Sequence, residues 1–442
     1  MPFCSDLCSG IIGNFRNCMT TPLTRKKILI ISGVVLTIIL IIVIIAVSVP
    51  SATADPQGRD ALNYVPFVEG NSDFKTYMTS NFSVSNYNYN DHFKEKTIGA
   101  QVITTSVACQ AQFHDAVSQT IDQLDFIKRL VDGSKIMKIA HSAEEIKANK
   151  ANNQRSIVLA IGGGHSLDNR LSTLRNYFNQ GVRIVSLASI DCTNPWAKSA
   201  SGDKDNIFAT GDFIKAVVAE MNRLGIAIDL AGSDKTIQTA VIDISKAPVV
   251  FRGVGFNSLV KNDFNLDPDI LEKLKNNGSL AMLSLDCALF DKGDDCSKKD
   301  FIEFLKTAKS KLGAANIGIG GLVYANAKMP KDLTYNDIPS LFDELMNNGW
   351  TISELEFLAG NSFINLLQRV ETAAKYLANQ TPNEQLFDMN LIKQKDCYTA
   401  QPNPSPQPEP TTKATPTEPT KPTPEPTKEP TKEPTTEKPK KP

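Results

Sequence analysis

The chain has 442 residues, and its 47 basic and 48 acidic side chains leave a formal net charge of −1. This balance lacks the basic surplus that is typical of nucleic-acid-binding proteins, so we expect no nucleic-acid partner. Only four histidines are present, which limits any metal site that needs several imidazoles.

A long apolar run near the N-terminus predicts a membrane anchor. Residues 28–47 are apolar except for three small or hydroxylated residues, and about 20 such residues span a ~30 Å hydrocarbon core. Four basic residues precede the run: Arg16, Arg25, Lys26 and Lys27. The positive-inside rule then predicts a cytosolic tail at 1–27, a transmembrane signal-anchor helix at 28–49 and a linker at 50–63. The alternative is a cleaved signal peptide, since small residues follow at 48–54.

This topology makes the chain a single-pass type II membrane protein whose larger part is extracellular or lumenal. Export makes three sequons plausible glycan acceptors, at Asn81, Asn277 and Asn379. It also permits disulfides among the five cysteines beyond the apolar run: Cys109, Cys192, Cys287, Cys296 and Cys397. Five is an odd number, so one thiol is free or is paired between chains.

Apolar strand-like runs alternate with helical patterns through most of the chain. The runs lie at 156–161, 182–190, 226–231, 247–252, 279–285 and 316–323. The helical patterns lie at 115–131, 212–224, 235–245, 268–276, 298–311, 338–347 and 352–376, and Leu167, Leu171, Leu174 and Phe178 share a helical spacing. This alternation predicts a parallel sheet with right-handed crossovers. Six visible units with weaker ones upstream favour a closed (β/α)8 TIM-type barrel over an open sheet, and no glycine fingerprint supports dinucleotide binding.

The last residues form a low-complexity tail. Residues 401–442 repeat Pro-Thr-Glu-Pro-Thr-Lys, with almost no apolar side chain to bury. We therefore predict a disordered Pro/Thr/Glu/Lys-rich tail at 397–442.

Two motifs carry a resemblance to a known family. Gly163-Gly-His-Ser166 and Cys192-Thr-Asn-Pro-Trp196 resemble signatures of the membrane (renal) dipeptidases, which are zinc-dependent barrel hydrolases. Further matching stretches include Glu220–Gly225, Ile244–Phe251, Gly318–Gly321 and Leu358–Asn361, in the same register. The resemblance implies a metal-dependent-hydrolase-like barrel over residues 64–396.

The resemblance also implies a two-zinc site, whose positions this chain has changed. The family's His-x-Asp, bridging Glu, two later His and final Asp fall on Asn71, Asp73, Gly162, Gly232, Gly253 and Leu322. Glycine and leucine offer zinc no ligand atom, so we expect no zinc and no catalytic residue. Two substrate positions of the family fall on Ile190 and Phe264. We interpret His165 as a core or supporting histidine, and Glu69 and Asp73 as surface charges.

The cysteines keep more of the family pattern than the metal ligands do. The resemblance implies a disulfide between Cys109 and Cys192. The family partner of Cys296 falls on Val260, so Cys296 either pairs with Cys287 or stays free. Cys397 matches a cysteine that links two subunits in the family, which implies a disulfide-linked homodimer.

Three functions are compatible with these features. The first is a membrane-anchored extracellular pseudoenzyme that acts in adhesion, binding or scaffolding with an unknown protein or peptide partner. The second is an active dipeptidase with a rebuilt metal site, which would need zinc. The third is a small-ligand binder that keeps the old cleft for peptides or thiol adducts more apolar than a free dipeptide.

Overall fold

A computed structural model describes residues 33–40, 55–73, 97–201, 212–291, 295–321 and 328–392. Asn81, Leu322, Cys397 and the predicted tail lie outside these ranges. Of the predicted anchor, only residues 33–40 are described, as a helix with exposed apolar side chains. Within the described ranges, we find no helix with the length and apolar character to cross a bilayer.

Eight parallel strands close into a barrel, which confirms the predicted (β/α)8 architecture. The strands are β1 (Phe67–Asp73), β2 (Ile98–Thr105), β4 (Arg155–Ile161), β5 (Val182–Ser186), β6 (Ala227–Asp229), β7 (Val250–Val254), β8 (Leu280–Ser284) and β9 (Ile317–Gly321). Closure comes from two pairings, β2 with β4 and β1 with β9. A ninth short strand, β3 (Met137–Ile139), pairs with the beginning of β4.

Helices alternate with these strands and cover the barrel. They are α1 (Ala61–Tyr64), α2 (Ala116–Asp132), α3 (Ala143–Ala151), α4 (Leu171–Asn179), α5 (Phe213–Leu224), α6 (Lys235–Ile244), α7 (Pro268–Asn277), α8 (Lys298–Leu312), α9 (Ile338–Asn347), α10 (Ile352–Glu356) and α11 (Ser362–Leu377). Two predictions of continuous helix are wrong. Leu167 belongs to a separate 3-10 turn, because Asp168 and Asn169 adopt positive φ before α4 begins. The helix predicted over 352–376 is interrupted by a π turn at Phe357–Asn361.

Alternate strand residues separate into two apolar clusters. One set faces the helices and includes Phe67, Leu159 and Phe251. The other fills the barrel interior with smaller residues, namely Val68, Ala100, Val102, Val158, Ala160, Ile184, Ala227, Val250, Leu280 and Met282. This alternation follows from the two-residue period of a strand. The apolar interior holds the strands in register below the carboxyl ends where the candidate site lies.

Two disulfides fasten loops around the barrel. Cys109, after β2, bonds Cys192, after β5, with their Cα atoms 5.3 Å apart. This pairing is the one that the family resemblance implies. Cys287 bonds Cys296, which settles the alternative that the sequence left open.

Candidate functional site at the carboxyl end of the barrel

The described residues that the resemblance assigns to metal positions lie at the carboxyl ends of the strands, where barrel enzymes hold their catalytic residues. Asn71 and Asp73 end β1, Gly162 follows β4, Gly232 follows β6 and Gly253 lies in β7. The structure describes the backbone of Asp73 but not its side chain.

Two of the glycine positions leave no room for a side chain. A Cβ on Gly162 would lie 2.4 Å from the carbonyl oxygen of Thr105. Gly232 has φ +80°, and a Cβ there would lie 2.9 Å from the backbone nitrogen of Ile190. The backbone therefore leaves no space for a side chain at two positions that the family resemblance assigns to a glutamate and a histidine. Placing those side chains there would require the loops to move.

A buried arginine occupies the centre of the barrel. Arg252, on β7, is 3% exposed, and Asp229, at the end of β6, is 2% exposed. The Nη2 and Nε atoms of Arg252 lie 2.9 and 3.0 Å from Oδ2 of Asp229. This geometry forms a buried ion pair between neighbouring strands.

Further hydrogen bonds tie the same guanidinium to other strands. Its Nη1 atom donates to Oγ1 of Thr104 at 2.8 Å and to Oδ1 of Asn71 at 3.3 Å. Ser186 donates its hydroxyl to Oδ2 of Asp229 at 2.6 Å. Asn71, which the family resemblance predicts to stand at a metal-ligand position, accepts this hydrogen bond from Arg252.

This network places a positive charge where the family resemblance predicts a metal centre. The guanidinium of Arg252 carries a positive charge and pairs with the carboxylate of Asp229. A divalent cation placed nearby would meet a like charge in a region of low dielectric. Among the described side chains, no group of three or more His, Cys, Asp or Glu residues could hold a metal ion. The described part of the site therefore does not fit a two-zinc centre.

Glu69 corrects a prediction. We expected a surface charge, but this residue is 2% exposed, because it is the third residue of β1 and lies within the barrel wall rather than at its mouth. Its Oε2 atom accepts hydrogen bonds from Ser72 Oγ at 2.7 Å and Gln101 Nε2 at 2.5 Å, and Tyr335 donates to Oε1. Burial raises the pKa of Glu69, although these donors oppose the shift.

His165 is a buried histidine. It is 3% exposed, and its Nε2 atom lies 3.0 Å from the carbonyl oxygen of Val107. Burial lowers the pKa of the imidazole and favours the neutral ring. The geometry agrees with a packing role, and His165 belongs to no group of three or more candidate metal ligands among the described residues.

The remaining predicted positions lie in loops or on the surface. Ile190 is half-buried after β5, and Phe264 is 8% exposed in the loop after β7. Neither apolar side chain could pair with a substrate carboxylate or amine. Asn277 and Asn379 are exposed, as glycan acceptors must be.

Sequence reasoning missed the pair Arg252 and Asp229. One signal was present, because Arg252 is a lone charge in an otherwise apolar strand run, Val-Val-Phe-Arg-Gly-Val. Such a charge is either exposed or paired in the interior. Its partner lies 23 residues earlier on another strand, so the pairing needed the fold.

Comparisons with known proteins agree with this architecture. The family profile described as membrane dipeptidase (peptidase family M19) matches residues 57–381. Dipeptidase 3 of Mus musculus is 32% identical over 309 residues, which cover 67% of this chain but only 60% of the mouse protein. Dipeptidase 3 of Homo sapiens is 28% identical over 353 residues, covering 76% of this chain and 72% of the human protein. The crystal structure of the probable dipeptidase PvdM from Pseudomonas aeruginosa is similar in fold, with a TM-score of 0.64 at 15% identity over 72% of this chain and 98% of that one.

Proposed function

The chain belongs to the membrane dipeptidase family, and from this premise we propose that it is a non-catalytic member that acts in binding or scaffolding. The observation that carries the proposal is the buried Arg252 guanidinium, bonded to Asp229 and to the Asn71 position at the barrel centre. Hydrolysis of a peptide bond by this family's chemistry needs a metal ion to polarise water. The guanidinium of Arg252 would repel such an ion. The glycines at the predicted ligand positions have no side chain that could bind it.

The proposal includes a place in the cell. The apolar segment 28–49 would anchor the chain with residues 1–27 in the cytosol, 50–63 as a linker and the barrel at 64–396 outside, followed by the Pro/Thr/Glu/Lys tail at 397–442. Glycans on Asn81, Asn277 and Asn379 and a subunit-linking disulfide at Cys397 belong to the same proposal. The partner would then be an extracellular protein or peptide that meets a disulfide-linked homodimer.

The second candidate function is an active dipeptidase with a rebuilt metal site. It is favoured by the names of the relatives, since both the mouse and the human protein are dipeptidases by name. Such a site would have to draw on residues outside the described ranges, because the described ones assemble no metal-ligand group.

Hydrolysis of a glycyl dipeptide separates the two functions. We expect the full-length chain to hydrolyse the dipeptide no faster than buffer, with or without added zinc, because no described residue polarises water. The measurement is release of free amino acid by chromatography, with an active zinc dipeptidase as the positive control. Turnover that zinc restores and a chelator removes would support the second function instead.

A further inference from the structure

A polar cleft of about 350 Å³ lies beside the barrel mouth, between the loop after β6 and the loop after β7. Residues 233–238 form one wall, at the start of α6, and residues 257–267 form the other, before α7. Arg252 does not line this cleft, which is therefore separate from the barrel centre.

The first wall holds a buried hydroxyl group with no partner. Ser233 is 0% exposed, it lines the cleft, and its Oγ atom makes no hydrogen bond to any residue that the structure describes. The backbone carbonyl oxygen of Ser233 accepts a hydrogen bond from Nε2 of Gln238 at 2.8 Å. A buried hydroxyl without a partner costs free energy, and a hydroxyl group on a ligand would remove that cost by donating to Oγ or accepting from it.

The second wall is stiffened by its own carboxamides. Asn257 accepts a hydrogen bond from the backbone of Asn262 at 3.1 Å, and Asn262 accepts one from the backbone of Phe264 at 3.0 Å. Both bonds use the side-chain oxygens of these asparagines. The side-chain NH2 group of Asn262 has no hydrogen-bond partner in the described part of the chain. Asp263 is exposed beside it and has no described ion pair. The wall thus presents a side-chain donor on Asn262 and a carboxylate acceptor on Asp263 to a ligand.

The described charged side chains of the cleft, two lysines paired with aspartates, count against an anionic ligand. Lys235 lies 3.2 Å from Asp267 and 2.9 Å from Asp269, and Lys261 lies 3.8 Å from Asp267. Both described lysines that line the cleft are therefore paired with carboxylates, so a phosphate or sulfate would find no unpaired cation among the described lining residues. Among the described residues that line the cleft, none has an aromatic or large aliphatic side chain, which counts against an apolar ligand.

We propose that this cleft binds a neutral, hydroxyl-rich saccharide. Sugar hydroxyl groups both donate and accept hydrogen bonds, so one of them can pair with Ser233 Oγ while others accept from Asn262 and donate to Asp263. Since no described lining residue offers an aromatic surface for the sugar ring, the dissociation constant should be on the order of 1 mM. The proposal does not depend on whether the barrel centre holds zinc.

The test is calorimetric titration of the full-length chain with glucose, galactose, mannose and N-acetylglucosamine. The chain is kept in a polyoxyethylene-ether detergent, because detergents with sugar headgroups would compete. We expect at least one sugar to bind, and we expect Ser233→Ala and Asn262→Ala each to weaken binding about 3–10-fold. Ser353→Ala, on an exposed position of α10, is the matched control and should keep full affinity. Thermal melting of each variant shows that the fold is intact.

Two results would overturn the proposal: no binding by any of the four sugars, or equal affinity in the Ser233→Ala and Asn262→Ala variants. A second titration uses the methyl glycoside of the sugar that binds. Retained binding supports a saccharide at the end of a glycan, and lost binding supports a free reducing sugar. Repeating the titration with chelator and with zinc keeps the proposal separate from the barrel centre, since cleft binding should be the same in both.

Discussion

Replacing Arg252 by methionine is expected to destabilise the barrel by about 3–5 kcal/mol, because Asp229 would be left as a buried, unpaired carboxylate. Both side chains are almost fully buried, so water cannot replace the lost guanidinium. Thr104 and Ser186 would lose hydrogen bonds in the same step. The measurement is the free energy of unfolding from urea denaturation of a secreted form that begins at residue 55.

Two controls identify the cause of this loss. The double change Arg252→Met with Asp229→Leu removes both charges and should recover most of the stability, since an apolar pair of similar volume fits a buried site. Lys273→Met breaks an exposed pair with Asp243 and should cost less than about 1 kcal/mol. If Arg252→Met stayed within 1 kcal/mol of the parent, the central ion pair would not have the structural role assigned to it.

Removing the disulfide between Cys109 and Cys192 by a double change to alanine should cost about 4 kcal/mol. The bond closes a separation of 83 residues, and the entropy that a crosslink removes from the unfolded chain grows with that length. It also joins the loops after β2 and β5, which flank the Gly162 position. The measurement is urea denaturation under non-reducing conditions.

The second disulfide provides the matched control for the first. Cys287 and Cys296 are separated by only 9 residues, so the same double change to alanine should cost less, about 2–3 kcal/mol. Loss of stability in the opposite order would show that strain or local packing, rather than chain length, governs these crosslinks.

The barrel could be predicted from the sequence because its signal is local. Each apolar run and each helical pattern is legible within a few residues, and most element bounds fall close to those expected. The strand predicted over 182–190 is shorter: it ends at Ser186, and Leu187 donates one more backbone hydrogen bond to Asp229 before the chain enters a loop. The end of an apolar run does not show where pairing with a neighbouring strand stops.

The site could be predicted only in part. The predicted loss of ligands at Gly162, Gly232 and Gly253 rests on residue identity alone, which the sequence gives directly. What fills the space is not local, since Arg252 reaches Asn71 from a strand 181 residues away. The burial of Glu69 was missed for the same reason, because it depends on where β1 begins and on the partners that the fold brings to it.

The buried guanidinium of Arg252 places a positive charge at the centre of a membrane dipeptidase family barrel. The proposal that the barrel binds no zinc is tested most directly by elemental analysis of the full-length chain by plasma mass spectrometry. After incubation with zinc and desalting, we expect far less than one zinc per chain. About two tightly held zinc ions per chain, as a two-metal hydrolase requires, would contradict the account.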